Sequence, residues 1–211
     1  MRGAVPGGNT ARVAAAYDTR ADEYIAAVGM IEHAASTDRE YLLAWAQQVD
    51  GLVLDVGCGP GQWSNLFREA GVAVEGIDPS AHFIADARKR YPQTRYRVGC
   101  AERLEVGEGS VGGALAWYSL IHTEPDQLDP ALAELCRGIS VGGSLVVGFF
   151  VGEAFQRFDH AVAPAWYWSV DGLTERLERA GFTVVESRVR ADPGARKQGI
   201  IRADRIAVGQ M

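Results

Sequence analysis

Cysteine, lysine and long apolar runs are all scarce in this 211-residue chain, and each scarcity excludes something. Cys58, Cys100 and Cys136 are odd in number and far apart, with no CxxC pair and no histidine set nearby. That excludes a disulfide framework and a zinc site, predicts no metal, and points to a reducing cytoplasm. The longest apolar run, Leu145 to Val151, is far too short to span a bilayer, and no continuous apolar stretch follows Arg2 as a signal peptide would require. The chain therefore reads as soluble, unexported and free of membrane contact. Basic residues do not prevail: 21 Lys and Arg stand against 27 Asp and Glu, a net charge of -6, which argues against nucleic acid as a partner because phosphate binding needs clustered cations. Lys89 and Lys197 are the lysines, and the abundance of Arg, Ala and Gly reads as coding bias in a GC-rich bacterium. No repeat is present.

The length suits one domain, residues 1–211, with monomer or homodimer both open. It divides into a helical cap (1–50), a core (51–150), an aromatic insertion (151–169) and a C-terminal helix with hairpin (170–211). The Gly- and Pro-containing start, Met1 to Asn9, is expected to be disordered. Helices are predicted over Asp22–Ala34 and Asp38–Val49. From Gly51 short apolar runs (GLVLDVG, VAVEGI, TRYRV, GALAWY, GSLVVGFF) alternate with helices near Gln62–Ala70, Ala81–Arg90 and Leu128–Ile139. This alternation predicts an α/β, Rossmann-like doubly wound sheet, mostly parallel. A helix near Gly172–Ala180 is followed by FTVVESRVR and GIIRADRIAV, joined by a loop too short for a parallel return, so an antiparallel edge hairpin is expected.

The segment VLDVGCGPGQW places Gly57, Gly59 and Gly61 between a buried-type strand and a helix start. Glycines there let the backbone turn tightly and approach a nucleotide-like ligand. The spacing GxGxG differs from the GxGxxG that cradles a dinucleotide pyrophosphate, which disfavours NAD or FAD. A literal GxGxxG at Gly107, Gly109 and Gly112 follows no strand and opens no helix, and reads as chance. Asp78 ends the next strand, where a carboxylate can accept hydrogen bonds from both ribose hydroxyls; its plainer reading is an acid favoured by a helix N-terminus.

These motifs, in this order, resemble the class I S-adenosylmethionine (SAM)-dependent methyltransferases, in particular the small bacterial type 11 members related to the ubiquinone and menaquinone C-methyltransferases. The resemblance covers Val53 to Val208 and, more loosely, the helical start. It implies that Asp55, Gly57, Cys58, Gly59 and Gly61 contact SAM, that Asp78 and Pro79 flank its ribose, and that S-adenosylhomocysteine is the product. GCAERL at Gly99–Leu104 matches the family's third motif except that Cys100 replaces an Asp, leaving Ala101 and Glu102 toward adenine and Cys100 as a small buried hydrophobe. Val111-Gly112-Gly113-Ala114 departs from the family's fourth motif, and no D/N-P-P-Y sequence for methylating DNA bases is present. Tyr17 and Tyr24, in AAYDTRADEYIAAV, resemble cap residues that fold over the cofactor.

AWYSLIH places Trp117, Tyr118, Ser119 and His122 at the ligand-facing sheet end, with Trp63 on the helix opposite. Trp63, Trp117 and Tyr118 are assigned to the cofactor; Ser119, His122, Phe155, His160 and Trp166 to a small-molecule acceptor. Methyl transfer from a sulfonium is one in-line displacement that rests on positioning, so a base is optional. His122 is the first candidate base or positioning group and His160 the second; the plain alternative for His122 is a hydrogen-bonded loop residue. Phe150 and Trp168 read as core packing, whereas Phe155 and Trp166 suit an apolar acceptor. The arginines from Arg188 to Arg205 read as a solvated edge hairpin, with recognition of an acidic substrate group or carrier protein as the alternative. A SAM-binding sensor or accessory protein without catalysis is the competing reading.

Overall fold

A computed structural model describes residues 8–153 and 155–207. The elements, in chain order, are α1 (Gly8–Thr19), α2 (Ala21–Val28), α3 (Ser36–Ala46), β1 (Val53–Val56), α4 (Gln62–Glu69), β2 (Val74–Asp78), α5 (Ala81–Arg90), β3 (Arg95–Val98), β4 (Val111–Trp117), α6 (Leu128–Gly138), β5 (Ile139–Phe150), β6 (Arg157–Phe158), β7 (Ala165–Trp166), α7 (Val170–Arg179), β8 (Phe182–Arg190) and β9 (Gln198–Arg205). Seven strands form one sheet in the order β3-β2-β1-β4-β5-β9-β8. The first five run parallel, β9 returns antiparallel to β5, and β8 lies antiparallel on the edge.

The order reverses beside β1: the chain goes out through β2 and β3 on one side, then resumes at β4 on the other. Crossovers leave that point in opposite directions, so a crevice opens at the carboxyl ends of β1 and β4, where doubly wound sheets take ligands. β1 is buried throughout and β4 nearly so, as strands covered on both faces must be. One face carries Leu54, Ile77, Leu132, Leu135, Val147 and Leu177 beneath α6 and α7. The other carries Leu42, Trp45, Phe67, Leu115 and Val146 beneath α3 and α4, where Trp45 Nε1 donates to Ser144 Oγ at 2.7 Å.

The sheet follows the sequence pattern, and two local expectations need correction. The predicted disorder at Met1 to Asn9 fails at Gly8 and Asn9, which open α1; residues 1–7 lie outside those described. The helix expected over Asp22–Ala34 ends at Val28, because Gly29 caps it onto the Ile25 carbonyl and Met30 is extended, leaving a separate 3-10 turn at Ile31–His33. The last strand ends at Arg205, and Val208 lies outside the described residues. Gly112 departs from the family motif for a visible reason: a Cβ there would sit 1.9 Å from the Asp50 carbonyl oxygen. The GxGxxG at Gly107 to Gly112 leads into β4 and does not follow a strand.

Candidate cofactor and acceptor site

The turn from β1 into α4 holds Gly57, Gly59 and Gly61 at φ of +75°, +52° and +85°, a region that side chains rarely adopt. Gly57 N and Cys58 N both donate to the Ile77 carbonyl, at 2.7 and 3.0 Å, tying the turn to β2. A Cβ on Gly57 would lie 2.2 Å from Ser119 Cβ, and one on Gly61 would strike the Tyr96 ring, whose hydroxyl donates to the Gly61 carbonyl at 2.9 Å. At Gly59 a Cβ would meet nothing within 4 Å; that backbone faces open space.

Two buried carboxylates underlie the turn. Asp78 accepts from Gly59 N–H at 2.9 Å through one oxygen and from Ser80 N–H at 2.8 Å through the other. Asp55 accepts from the Ser64 hydroxyl at 2.6 Å. Burial pushes the Asp55 carboxyl up to about 7, against the Ser64 hydrogen bond and aided by the charge of Asp78. Burial likewise raises Asp78 to about 6, with its two backbone donors pulling the other way. Among the described residues, neither carboxylate has a basic side chain as ion-pair partner.

The cap closes over them from one side. Tyr17 on α1 and Tyr24 on α2 meet edge-on at 5.1 Å, and both rest on Phe83 of α5. Asp18 accepts from the Ser80 hydroxyl, which itself caps α5 by accepting from Phe83 N–H. Thr10 donates to Glu102 at 2.8 Å, and Asn9 to the His122 carbonyl at 2.9 Å. His122 is the knot: its Nδ1 lies 2.9 Å from the Pro164 carbonyl, which can only accept, so Nδ1 carries the proton and Nε2 accepts from the Tyr17 hydroxyl at 2.8 Å. Burial holds the imidazole below its ordinary value, in its neutral form.

Two cavities meet at Gly57. A small one, about 70 Å³, is walled by Pro79, Cys100, Ala101, Glu102, Ser119 and His122. A cleft of about 550 Å³ runs from Asp55, Cys58 and Gly59 past Tyr17, Tyr24, Trp63 and Trp117 to Tyr118, Phe150 and His160. The Tyr17–His122 pair stands between them. Tyr118 takes φ +54°, strained for an aromatic residue by about 1–3 kcal/mol, and its ring packs 5.1 Å from Trp117 and 5.0 Å from Phe150.

A family model described as "Methyltransferase domain" matches residues 53–143. The malonyl-acyl-carrier-protein O-methyltransferase of Pectobacterium atrosepticum is 34% identical over 131 residues, 58% of this chain and 51% of its own. The chain spans about half the length of the first curated relatives it matches. The 1,6-didemethyltoxoflavin-N1-methyltransferase of Burkholderia thailandensis, crystallised with its substrate and S-adenosylhomocysteine, shares the fold with a TM-score of 0.74 at 21% identity, over 97% of this chain and 93% of that one. Residues 53–143 thus form a methyltransferase domain, on a fold shared with SAM-dependent methyltransferases. The fold is also that of the cyclase SpnF, with a TM-score of 0.77 at 21% identity, over 98% of this chain and all of that one.

The residues of this cleft fit a SAM molecule. Ser119 Oγ and Glu102 Oε2, on the small cavity, are buried without a hydrogen-bond partner, as is Gln62 Oε1 on the large cleft. Unpaired buried polar atoms are costly and are expected where a ligand completes them. The large cleft, with Asp55 and Asp78 beneath it, is a place for a cationic ligand. Among the described residues, no cluster of three His, Cys, Asp or Glu is arranged to hold a metal, and no helix is long and apolar enough to cross a membrane.

The structure gathers Tyr17, Tyr24, Asp55, Gly57, Cys58, Gly59, Trp63, Trp117, Tyr118 and His160 on the large cleft, and Pro79, Cys100, Ala101, Glu102, Ser119 and His122 on the small one. It does not bring in all of the aromatic insertion. Phe155 is half exposed, meets Trp168 edge-on at 5.4 Å under the Arg176 guanidinium, and lines neither cavity. Trp166 lines a third cavity with Arg12, Arg157, Pro164 and His122, the last shared with the small cavity. Residues missed from sequence are Asn9, Thr10 and Asp18, on a helix without an apolar stripe, and Asp38, Arg190 and Gln198, from segments far apart.

Proposed function

We propose that the protein binds SAM in this cleft and transfers its methyl group to a small-molecule acceptor, releasing S-adenosylhomocysteine. The observation that carries the reading is the pair of buried carboxylates, Asp55 and Asp78, without cationic partners beneath a glycine turn at the sheet's switch point. Bound there, SAM supplies a methyl group on a positively charged sulfur. Asp78 accepts from the ribose hydroxyls, its existing N–H bonds fixing the carboxylate in place. Asp55 and the Gly57–Gly59 backbone face the amino-acid end. Ala101, Glu102 and Ser119, with Cys100 and Pro79, enclose the adenine. Tyr17 and Tyr24 cover the sugar and exclude water.

His122 serves as a positioning residue. Its two ring nitrogens tie the cap to the insertion, and the nitrogen that would act as a base already accepts from Tyr17. His160 lies 5.1 Å from the His122 ring and faces the acceptor side. The SpnF likeness supports a second reading, a SAM-binding protein that transfers no methyl group, because this fold alone does not set the chemistry.

Calorimetric titration with SAM, followed by a screen of amine, phenol and carboxylate acceptors with methyl-labelled SAM, tests both readings. Binding with label transfer supports the enzyme, binding without transfer to any acceptor supports the second reading, and no binding overturns both. The three free cysteines fit a reducing cytoplasm, and the reading accommodates a monomer or a homodimer.

A further inference from the structure

The far end of the large cleft differs from its cofactor end in hydrogen-bond character. Among the described residues, the Tyr118 hydroxyl makes no hydrogen bond, and burial together with the Asp38 charge opposes its ionisation. His160 Nδ1 lies 3.5 Å from Val162 N–H, a long contact that favours the ring proton on Nε2. Gln198 gives its carbonyl oxygen to Arg190 Nη2, which leaves the amide NH2. Asp38, buried, is paired with Arg190 Nη1 at 2.7 Å, and Arg190 Nε also meets the exposed Asp192 at 3.0 Å, so the guanidinium is shared between two carboxylates. The lone pair of His122 is taken by Tyr17. His33 is exposed on its 3-10 turn and solvated. This half-buried end therefore presents neutral donors to a ligand and holds no uncommitted base.

We propose that the methyl acceptor is a carboxylate carried on an apolar or aromatic body, with one carboxylate oxygen seated on the Tyr118 hydroxyl, His160 Nε2–H and the Gln198 amide. This rests on the SAM reading above. A carboxylate is ionised at neutral pH and needs no base. An oxygen lone pair forms the O–CH3 bond as the S–CH3 bond breaks, its electrons passing to sulfur; an anion and a sulfonium become an ester and a thioether, and no proton moves. A phenol or amine, with an ordinary pKa near 10, would first have to lose a proton. Burial, with His122 and Arg196 adding to it, lowers His160 to about 4, too weak a base for that task. Trp117, Phe150 and Ile121 supply walls for the apolar body.

The test is a panel of octanoate, benzoate and phenylacetate against matched phenols and amines, with methyl-labelled SAM and SAM binding measured separately. With SAM saturating at each pH, base-labile labelled esters are expected from the acids, at a rate flat between about pH 6 and 9. His160→Leu is expected to raise KM for the acid roughly tenfold with SAM affinity unchanged, and His160→Gln, which keeps a donor, to recover most of that loss; Tyr118→Phe, at a position assigned to the cofactor from sequence and to the acceptor here, is expected to raise KM for the acid as much. A protein that binds SAM yet forms no ester overturns the proposal, whether or not phenols or amines react, as does a rate climbing tenfold per pH unit; the cofactor reading survives either result. Failure to bind SAM at all instead removes the reading beneath it.

Discussion

At the glycine-turn end of the cleft, Asp55, the three glycines, Ser64 and Asp78 all come from one strand–helix–strand unit, and each is placed by backbone contacts with its own neighbours. At the acceptor end, Tyr118, His160, Arg190, Gln198 and Asp38 come from the β4 rim, the insertion, both hairpin strands and α3; Arg190 meets Asp38 across 152 positions. The first end is a local construction that any chain with this unit repeats. The second is a meeting of distant segments, free to vary without disturbing the sheet. Cofactor recognition and acceptor choice are thus carried by separable parts of one cleft.

The sharpest way to break the contrast lies within the turn itself. Gly57→Ala puts a Cβ 2.2 Å from Ser119 and forces a left-handed backbone, whereas Gly59→Ala meets nothing and carries only the backbone cost, about 1–2 kcal/mol. Gly57→Ala should abolish SAM binding and lower the melting temperature strongly, while Gly59→Ala should fold and bind weakly. Equal effects in calorimetry would show that the turn is not seated on β4 as described. Next in size, Asp78→Asn keeps the shape of the side chain but loses its charge. Hydrogen bonds to a charged acceptor contribute about 1.5–3 kcal/mol, so SAM affinity should fall roughly 10- to 100-fold with the fold intact. Unchanged titration heats would remove the ribose role.

How far each end can be read from sequence follows from the same difference. The apolar runs and helix periods from Gly51 onward specify the sheet, and the spacing of Gly57, Gly59, Gly61 and Asp78 places the cofactor seat, because these signals act over a few residues. Helix α1 is invisible to that approach: its alanines favour helix through propensity but make no apolar stripe, and Ala14 is its one buried position. His122 shows the limit most clearly. Its position at the β4 rim is legible, but its partners Tyr17 and Pro164 lie 105 and 42 positions away, and they make it a tie between segments.

A smaller effect concerns protons. Because the folded protein raises Asp55 to about 7 and Asp78 to about 6, it binds more protons than the unfolded chain between about pH 4 and 7, and these two groups make stability fall as pH rises through that window. The depressed His160 acts in the opposite sense. Ribose donors and a cationic ligand favour the ionised carboxylates, so SAM binding should release protons below about pH 7 and tighten from pH 5 to 7 before levelling. Calorimetry in buffers of different ionisation enthalpy measures the release; affinity that weakens with rising pH would contradict it.

The smallest expected effect tests the wall between the two cavities. Tyr17→Phe keeps the ring on Tyr24 and Phe83 but removes the donor to His122 Nε2, leaving a buried acceptor unpaired. One neutral hydrogen bond contributes about 1 kcal/mol, equivalent to roughly 2–4 °C in melting temperature for a domain of this size. Because Tyr17 covers the sugar in the cofactor reading, the variant should also release SAM several-fold faster, while the preference among acceptors, set at the other end, stays the same. Stopped-flow release and the acceptor panel separate the two. An altered acceptor preference in Tyr17→Phe would mean that the ends of the cleft are coupled through His122 and His160 and do not act as independent parts.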